Sequence, residues 1–446
     1  MKSFRGGIHP PPNKQSSLTN PIKYAGLPDT VIIPLSQHIG SPAKVCVKVG
    51  EKVKVGTPIG EPDGFISSFI HSSISGTVKK IDVFPHPVLG KAPAVMIESD
   101  TMDERDETIK DRRNVEALTP EEIIAIVKKA GIVGMGGAAF PTHVKLSPPP
   151  SKKIDTVIIN GAECEPYLTC DHLLMLFNPL EVIKGAQLIK KAVGAEKCYI
   201  GIEKNKMDAL ELLFSKIRSH NVPDMKPLPL PVKYPQGAEK QLIHAMLDRE
   251  VPLGGLPMDV GVVVQNVATA AAVYEAVYHG KPLYERLVTL DGGSLKKSQN
   301  IKIRIGSAFR DAVKSVGGLL NQPRRIIMGG PMMGLAQESL DVPVVKATSG
   351  ILALAAYEFT DSPTRPCIRC GRCVSVCPMG LTPNMVTLAG ESERYEWAES
   401  LGARDCIECG SCSYVCPAKR PMVHSVKIVK NELFRRERRE KEKQKK

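Results

Sequence analysis

Cys367, Cys370 and Cys373 stand three residues apart, Cys377 follows after a longer gap, and Pro378 closes the run. The same spacing returns at Cys406, Cys409, Cys412 and Cys416, closed by Pro417. Thiolates are soft donors, and three at this interval can wrap one iron–sulfur cubane corner by corner. The fourth sits beyond a longer gap and a turn, so it reaches the other cluster. The spacing therefore predicts two [4Fe–4S] clusters. One is held by Cys367, Cys370, Cys373 and Cys416, the second by Cys406, Cys409, Cys412 and Cys377. Structural zinc sites use pairs of thiolates and leave the triple interval unexplained. A chain built this way moves electrons one at a time. The remaining cysteines, Cys46, Cys164, Cys170 and Cys198, lack the spacing. Cys46 and Cys198 lie in apolar, strand-like runs and are expected to be inert core residues.

A second group of segments could hold an anionic cofactor. The stretch Gly131-Ile-Val-Gly134-Met-Gly136-Gly137-Ala-Ala-Phe140-Pro141-Thr142-His143-Val-Lys145 is dense in small residues and ends on a cation. Backbone N–H groups free of side chains can approach a phosphate, and Lys145 adds a charge. Taken alone, such a loop is more often only a turn. Its pattern is not the dinucleotide fingerprint that opens an ordinary Rossmann fold. Three further segments join it: Asn160-Gly-Ala-Glu163-Cys164-Glu165-Pro166 after an apolar run, Tyr234-Pro-Gln-Gly237-Ala238-Glu239-Lys240 before a helical one, and Gln265-Asn266-Val267-Ala268-Thr269 between a strand and a helix.

These residues need elements to carry them. At 446 residues, 42% apolar and 24% charged, the chain can bury several cores, with roughly three domains expected at about 150 residues each. Residues 1–30, rich in Pro and Gly, read as an irregular arm. Period-two alternation punctuated by glycine (44–50, 53–56, 75–81) predicts a small antiparallel β domain over 31–99. Thr119-Pro120-Glu121-Glu122 caps a helix running to Ala130. Strands at 156–160, 197–202 and 260–264 then alternate with helices at 179–193, 208–219 and 268–279, which predicts an α/β domain over 114–280. Residues 285–355 return to short strands with one helix at 308–316. Residues 360–430 hold the clustered cysteines, and 431–446 form a basic tail.

The bulk chemistry narrows the function classes. No run of eighteen uninterrupted apolar residues exists, and Gly261–Tyr278 is broken by Gln265, Asn266 and Thr269, so no membrane span is expected. The first ten residues lack an apolar secretory segment, which places the protein in the cytoplasm. Twelve cysteines there argue for metal ligation over disulfides. Net charge is +13, and the stretch from Lys430 to Lys446 has nine Lys/Arg against four Glu. Such a patch suits an acidic protein or anionic lipid. No helix-turn-helix, RNA-recognition motif or aromatic-studded basic groove is present, so nucleic acid is not expected as a partner.

In their order, the glycine loop and its three companion segments resemble the flavin-binding subunit of respiratory complex I and its hydrogenase relatives. The resemblance implies that Gly134, Gly136, Gly137, Lys145, Asn160, Glu163, Tyr234, Asn266 and Thr269 bind FMN. It places Phe140, Glu165 and Glu239 at the nicotinamide of NAD(H), as the catalytic set. Ala162 and Ala238 stand where that family has acids. The stretch 31–99 resembles a biotinyl/lipoyl carrier sandwich, but its hairpin turn reads Asp63-Gly64-Phe65 and lacks a modifiable lysine. Residues 285–355 resemble a β-grasp module of the soluble-ligand-binding (SLBB) type. The arm Phe4-Arg5-Gly6-Gly7-Ile8-His9-Pro10 and the order of all these parts are similar to the C subunits of the Rnf/Rsx ion-translocating electron transport complexes. The implied fold is a multidomain α/β plus β chain: lipoyl-like β sandwich, complex I flavin-subunit-like α/β domain, β-grasp module and two-cluster ferredoxin-like domain. The implied activity is that of a subunit of a ferredoxin:NAD+ oxidoreductase that translocates Na+ or H+. Its partners would be the other subunits of a membrane complex, NADH, and ferredoxin indirectly. Its place would be peripheral, on the cytoplasmic side of the bacterial inner membrane. A non-catalytic iron–sulfur relay and a soluble flavo-iron–sulfur dehydrogenase or hydrogenase subunit remain as alternatives.

Overall fold

Val31 and Ile33 are fully buried while Thr30 and Ile32 are only partly so, the period-two signature of a strand with one face in a core. In a computed structural model of the chain, which describes residues 3–359 and 362–444, this strand begins a two-sheet β domain. Thr30–Pro34, Gly90–Ser99, Gly76–His86 and Lys52–Val53 form one antiparallel sheet in that order. Lys44–Val45, Pro58–Glu61 and Ile70–His71 form the other. The strand expected over 44–50 stops at Val45. Cys46 just beyond it is exposed, not a core residue as its apolar neighbours suggested.

The capping box at Thr119 forms as its residue types require. Thr119 Oγ1 accepts from the Glu122 N–H at 3.3 Å and the Glu122 carboxylate accepts from the Thr119 N–H at 2.7 Å. The helix Pro120–Lys129 leads to a four-stranded sheet ordered Met225–Leu230, Lys197–Glu203, Thr156–Gly161, Val262–Asn266. The last three strands are parallel, with Asn160 opposite both Gly201 and Asn266. Helices Pro179–Ala192 and Val267–His279 pack on each other beside it.

A six-stranded mixed sheet follows, ordered Lys23–Tyr24, Gln299–Arg304, Glu285–Asp291, Gly350–Leu354, Arg325–Met328, Leu335–Gln337. Its core includes Val288, Leu290, Ile301, Ile303, Ile351 and Phe309 from the helix Phe309–Ser315. Residues 12–30 are not a loose arm throughout, because Lys23–Tyr24 adds a parallel edge strand to this sheet.

These three domains, 12–229 with 261–359, make one compact unit. Within it a buried basic group joins the β domain to the base of the glycine loop. Lys346 Nζ donates to the carbonyls of Phe69 and Gly131, both at 2.6 Å. Burial first, then the Lys346 charge, lowers His38 to about 4 and His71 to about 3, while burial and Lys128 lower His143 to about 4. The unfolded chain binds these protons near pH 6.5, the folded chain only near 4 or below. Stability from the three neutral imidazoles is therefore complete above pH 6.5 and is lost as pH falls toward 4. At pH about 5 the fully buried His71 costs about 2 kcal/mol, and the better-solvated His38 and His143 cost less. The urea midpoint followed by far-UV circular dichroism is expected to drop between neutral pH and pH about 5. A midpoint that stays constant across that span would contradict the burial of neutral histidines.

The other unit is assembled from three stretches: the N-terminal residues through Pro11, 230–260, and the chain from residue 360 onward. Its helical core brings Val386, Ala389, Ala398 and Ala403 against Val426, Val429 and Leu433. The last three lie on the long helix Met422–Gln444, which runs through residue 430 without a break. The apolar stripe Met422, Val426, Val429, Leu433 has helical spacing and extends past the point where the basic tail was expected to begin.

Candidate flavin cradle and iron–sulfur centres

Gly134 and Phe140 pin the neck of the glycine loop. The Gly134 N–H donates to the Phe140 carbonyl at 2.8 Å and the Ala139 N–H returns to the Gly134 carbonyl at 3.1 Å. Gly136 and Gly137 at its tip are exposed. Met135 anchors the loop on two sides: its N–H donates to Thr269 Oγ1 at 2.9 Å and its carbonyl accepts from Arg286 Nη2 at 3.4 Å. Thr269 lies in the first turn of the helix Val267–His279, whose N-cap is Asn266, accepting from the Ala268 N–H at 2.7 Å. Asn266 and Asn160 face each other in register at the carboxyl ends of neighbouring parallel strands. That edge is where open α/β sheets bind ligands.

A Cβ on Gly136 would stand 3.4 Å from Asn266 Cβ, and one on Gly137 would meet nothing within 4 Å. The loop tip and Asn266 thus bound an open cradle. Lys145 serves the same edge, its Nζ donating to the Val264 carbonyl at 3.2 Å. The buried Gln265 Nε2 has no partner among the described residues. Backbone N–H groups clear of side chains, amides and an ammonium match the phosphate and ring edge of a flavin nucleotide, so the residues fit FMN.

The acids of the next loop are held by backbone. Glu163 accepts from the N–H groups of Asp171 at 2.7 Å and His172 at 3.3 Å, capping the helix Cys170–Phe177. Lys14 Nζ donates to the Glu163 carbonyl at 2.7 Å. Asp171 in turn accepts from Asn266 Nδ2 at 2.6 Å. Burial and the Glu163 charge push the Asp171 carboxyl up, while the Asn266 hydrogen bond opposes them. Glu165 accepts from the N–H groups of Met332 at 3.0 Å and Met333 at 2.9 Å. Lys14, Asp171 and Arg286 were missed in the sequence. Arg286 gave no signal either, because its strand Glu285–Asp291 carries acids at both ends.

Tyr234 and Glu239 belong to the cysteine-bearing unit. Tyr234 is fully buried and its hydroxyl donates to the Cys409 carbonyl at 2.8 Å. Glu239 opens the helix Glu239–Leu247, from which Gln241 Nε2 donates to the Pro378 carbonyl at 3.4 Å. Neither polar atom of the buried Gln236 has a partner among the described residues. The N-terminal arm closes the same unit. Gly6, at φ 68°, lies so near the cysteine run that a Cβ would stand 2.7 Å from the Val376 and Cys377 carbonyls, which no side chain tolerates.

The eight clustered cysteines surround two separate cavities. One is lined by Cys367, Cys370, Cys373 and Cys416, the other by Cys377, Cys406, Cys409 and Cys412. The two runs share a backbone design. Arg369 and Glu408 are left-handed at φ 54° and 57°, and Gly371 and Gly410 at 73° and 80°. This curls the Arg369 N–H onto Cys367 Sγ and the Glu408 N–H onto Cys406 Sγ, each at 3.4 Å. Burial pushes the thiols of Cys406 and Cys412 up to about 11 and about 12, and raises Cys373 and Cys409 as well. Thiols grouped in fours, with at least two of each group buried, become thiolates together only where a cation compensates them, so the donor set fits iron–sulfur clusters.

Three family matches divide the chain along these lines. Residues 2–102 match the RnfC barrel sandwich hybrid domain, 127–275 the Nuo51 FMN-binding domain and 361–417 the 4Fe-4S dicluster domain. Fold and sites together define a flavin–iron–sulfur electron-transfer protein. The C subunit of the proton-translocating ferredoxin:NAD(+) oxidoreductase complex of Clostridium ljungdahlii is 49% identical, over 97% of this chain and 94% of its own length. Its Na(+)-translocating counterpart in Acetobacterium woodii is 48% identical over 97% of both chains. The C subunit of the ion-translocating oxidoreductase complex of Rhodobacter capsulatus is 42% identical over 98% of this chain and 84% of its own. The chain belongs to this family of C subunits. An NAD+-reducing [NiFe]-hydrogenase in the H2-reduced state shares the fold over 71% of this chain and 63% of that one, with a TM-score of 0.51 at 20% identity. Among the described residues, no helix is long and apolar enough to cross a membrane.

Proposed function

We propose that this chain is the subunit through which an ion-translocating ferredoxin:NAD+ oxidoreductase complex exchanges electrons with NAD(H). The observation that carries this reading is the pairing, on one chain, of a glycine cradle at a sheet's carboxyl edge with two four-cysteine cavities. FMN, when bound, exchanges a hydride with nicotinamide and releases electrons singly to iron–sulfur clusters, a conversion that belongs to the cofactors. The protein's part is placement. Gly134, Gly136 and Gly137 offer backbone, Lys145 offers charge, and Asn160, Asn266 and Thr269 hold the flavin. Glu163 orders the loop behind Asn266 through Asp171. Phe140, Glu165 and Glu239 serve the nicotinamide side, and Tyr234, its hydroxyl on the Cys409 carbonyl, braces the second cysteine run instead of touching the flavin. Cys367, Cys370, Cys373 and Cys416 ligate one cluster, and Cys406, Cys409, Cys412 and Cys377 the other. The partners are the other subunits of the complex, NADH, and ferredoxin reached indirectly. The protein sits peripherally on the cytoplasmic face of the inner membrane.

The deciding experiment is NADH-dependent ferricyanide reduction by the isolated, iron-reconstituted protein with and without added FMN. Activity that requires FMN supports the proposal. Full flavin occupancy without activity would leave a non-catalytic relay. Glu239→Gln is expected to lower NADH turnover about tenfold, equivalent to roughly 1.4 kcal/mol at the transition state, with extractable FMN unchanged. Equal loss of FMN and turnover would move Glu239 from the nicotinamide to the flavin.

A further inference from the structure

The two cysteine runs share a backbone but not a surface. In the second, Cys409 is buried and Cys406 and Cys412 are partly covered. Glu408 beside them pairs with Lys430 at 2.6 Å, and Lys430 also donates to the Cys406 carbonyl at 3.0 Å, so the long helix lies over this run. Tyr234 and Gln241 reach the same group, at Cys409 and Pro378. In the first run Cys367 and Cys370 are exposed. Arg365, Arg369 and Arg372 are exposed around them, and Ile368 between them is 67% exposed. From Ser362 to Gly390 the sequence has these three arginines and no acidic residue. At equivalent positions of the second run stand Glu408 and Ser411 in place of Arg369 and Arg372, so the arginines are not required by the ligand loop itself.

We infer that the exposed first run is the docking face for an acidic one-electron carrier protein, with Arg365, Arg369 and Arg372 facing its carboxylates and Ile368 at the centre of the contact. This rests on the function proposed above. Short-lived redox encounters bury little area and depend on complementary charge for speed and register. An apolar centre in a charged rim is the usual anatomy of such a contact. Each encounter passes one electron, lost by one partner and gained by the other, without a proton. The covered run, touched by the segment bearing Tyr234 and Glu239, is then the inner station and the exposed run the outer one.

The test measures binding, so that nothing turns over. The full-length, iron-loaded protein is titrated with an oxidised acidic [4Fe–4S] ferredoxin, used as a probe of this carrier class and not as the complex's own substrate, at salt of about 0.01 M and about 0.1 M, between which the screening length falls from about 30 to about 10 Å. Affinity should drop with salt. Arg369→Glu combined with Arg372→Ser installs what the second run already carries on the same backbone. It should weaken low-salt binding about tenfold or more and flatten the salt dependence, with iron content and resonance spectra unchanged. Wild-type affinity and salt dependence in this variant would overturn the inference. So would a variant that loses affinity for anionic lipid vesicles but not for ferredoxin. If the double variant loses iron, Arg365→Gln, outside the run, gives the same comparison. NADH-driven flavin reduction is followed in the same samples. Its failure sinks the proposed function while the docking result stands or falls separately.

Discussion

Replacing Cys377 with serine is expected to damage the cluster held by Cys406, Cys409 and Cys412, although Cys377 lies in the sequence with Cys367, Cys370 and Cys373. Cys416→Ser should do the reverse and reproduce the defect of Cys370→Ser. The reason lies in the path of the chain. A short helix, Arg372–Ser375, carries the chain away from its own run's cavity between Cys373 and Cys377, and Ser411–Tyr414 does the same between Cys412 and Cys416. Each fourth cysteine therefore lines the cavity of the other run. A serine oxygen is a harder, poorer ligand for iron than a thiolate. The expected result is loss or conversion of one cluster with the other's paramagnetic signal intact. Matching spectra for Cys377→Ser and Cys370→Ser would show that each run ligates its own cluster and that the crossed assignment is wrong.

Gly136→Val should abolish FMN retention while both clusters persist. A Cβ at this position would touch Asn266 at 3.4 Å, an ordinary contact, so alanine fits the protein. Valine's two methyls must go either into Asn266 or into the open cradle. Displacing Asn266 would also disturb its hydrogen bonds to Asp171 and the Ala268 N–H. Extracted flavin per chain should fall to about a fifth of wild type or less, the consequence of losing roughly 1.4 kcal/mol or more of binding near half-saturation, and Gly136→Ala should lose much less. Normal flavin in the valine variant would remove the loop from the site.

Much of this was legible because local signals agreed with tertiary demand. The helix after Thr119 was marked by cap, proline and acids together, and the parallel strands by short apolar runs between helical ones. The strand Met225–Leu230 was not, because Pro227 and Pro229 argue against a ladder and only its place at the sheet's edge admits them. Lys23–Tyr24 escaped for the opposite reason: two exposed residues carry no pattern, and the pairing belongs to the sheet they join. At the cradle, residue types identified the loop and the strand-end amides. The supports Lys14, Asp171 and Arg286 were invisible, since each is defined by a partner more than ninety positions away. Cys46 shows the reverse error, an apolar neighbourhood in sequence that is open in space.

The three-piece origin of the cysteine-bearing unit has a consequence for biosynthesis. Phe4 to Pro11 leave the ribosome long before the ligands Cys367 to Cys416, yet Gly6 must lie against the Cys377 carbonyl. At about 5–20 residues per second, the chain between them takes roughly 20–80 s to make. For most of that interval the amino-terminal strip waits without its partner, and the segment 230–260 waits through the last part of it. The cavity lined by Cys367, Cys370, Cys373 and Cys416 therefore cannot be filled until residue 416 has been made. A nascent chain stalled before residue 416 leaves this unit half-built, with its thiols exposed and unligated.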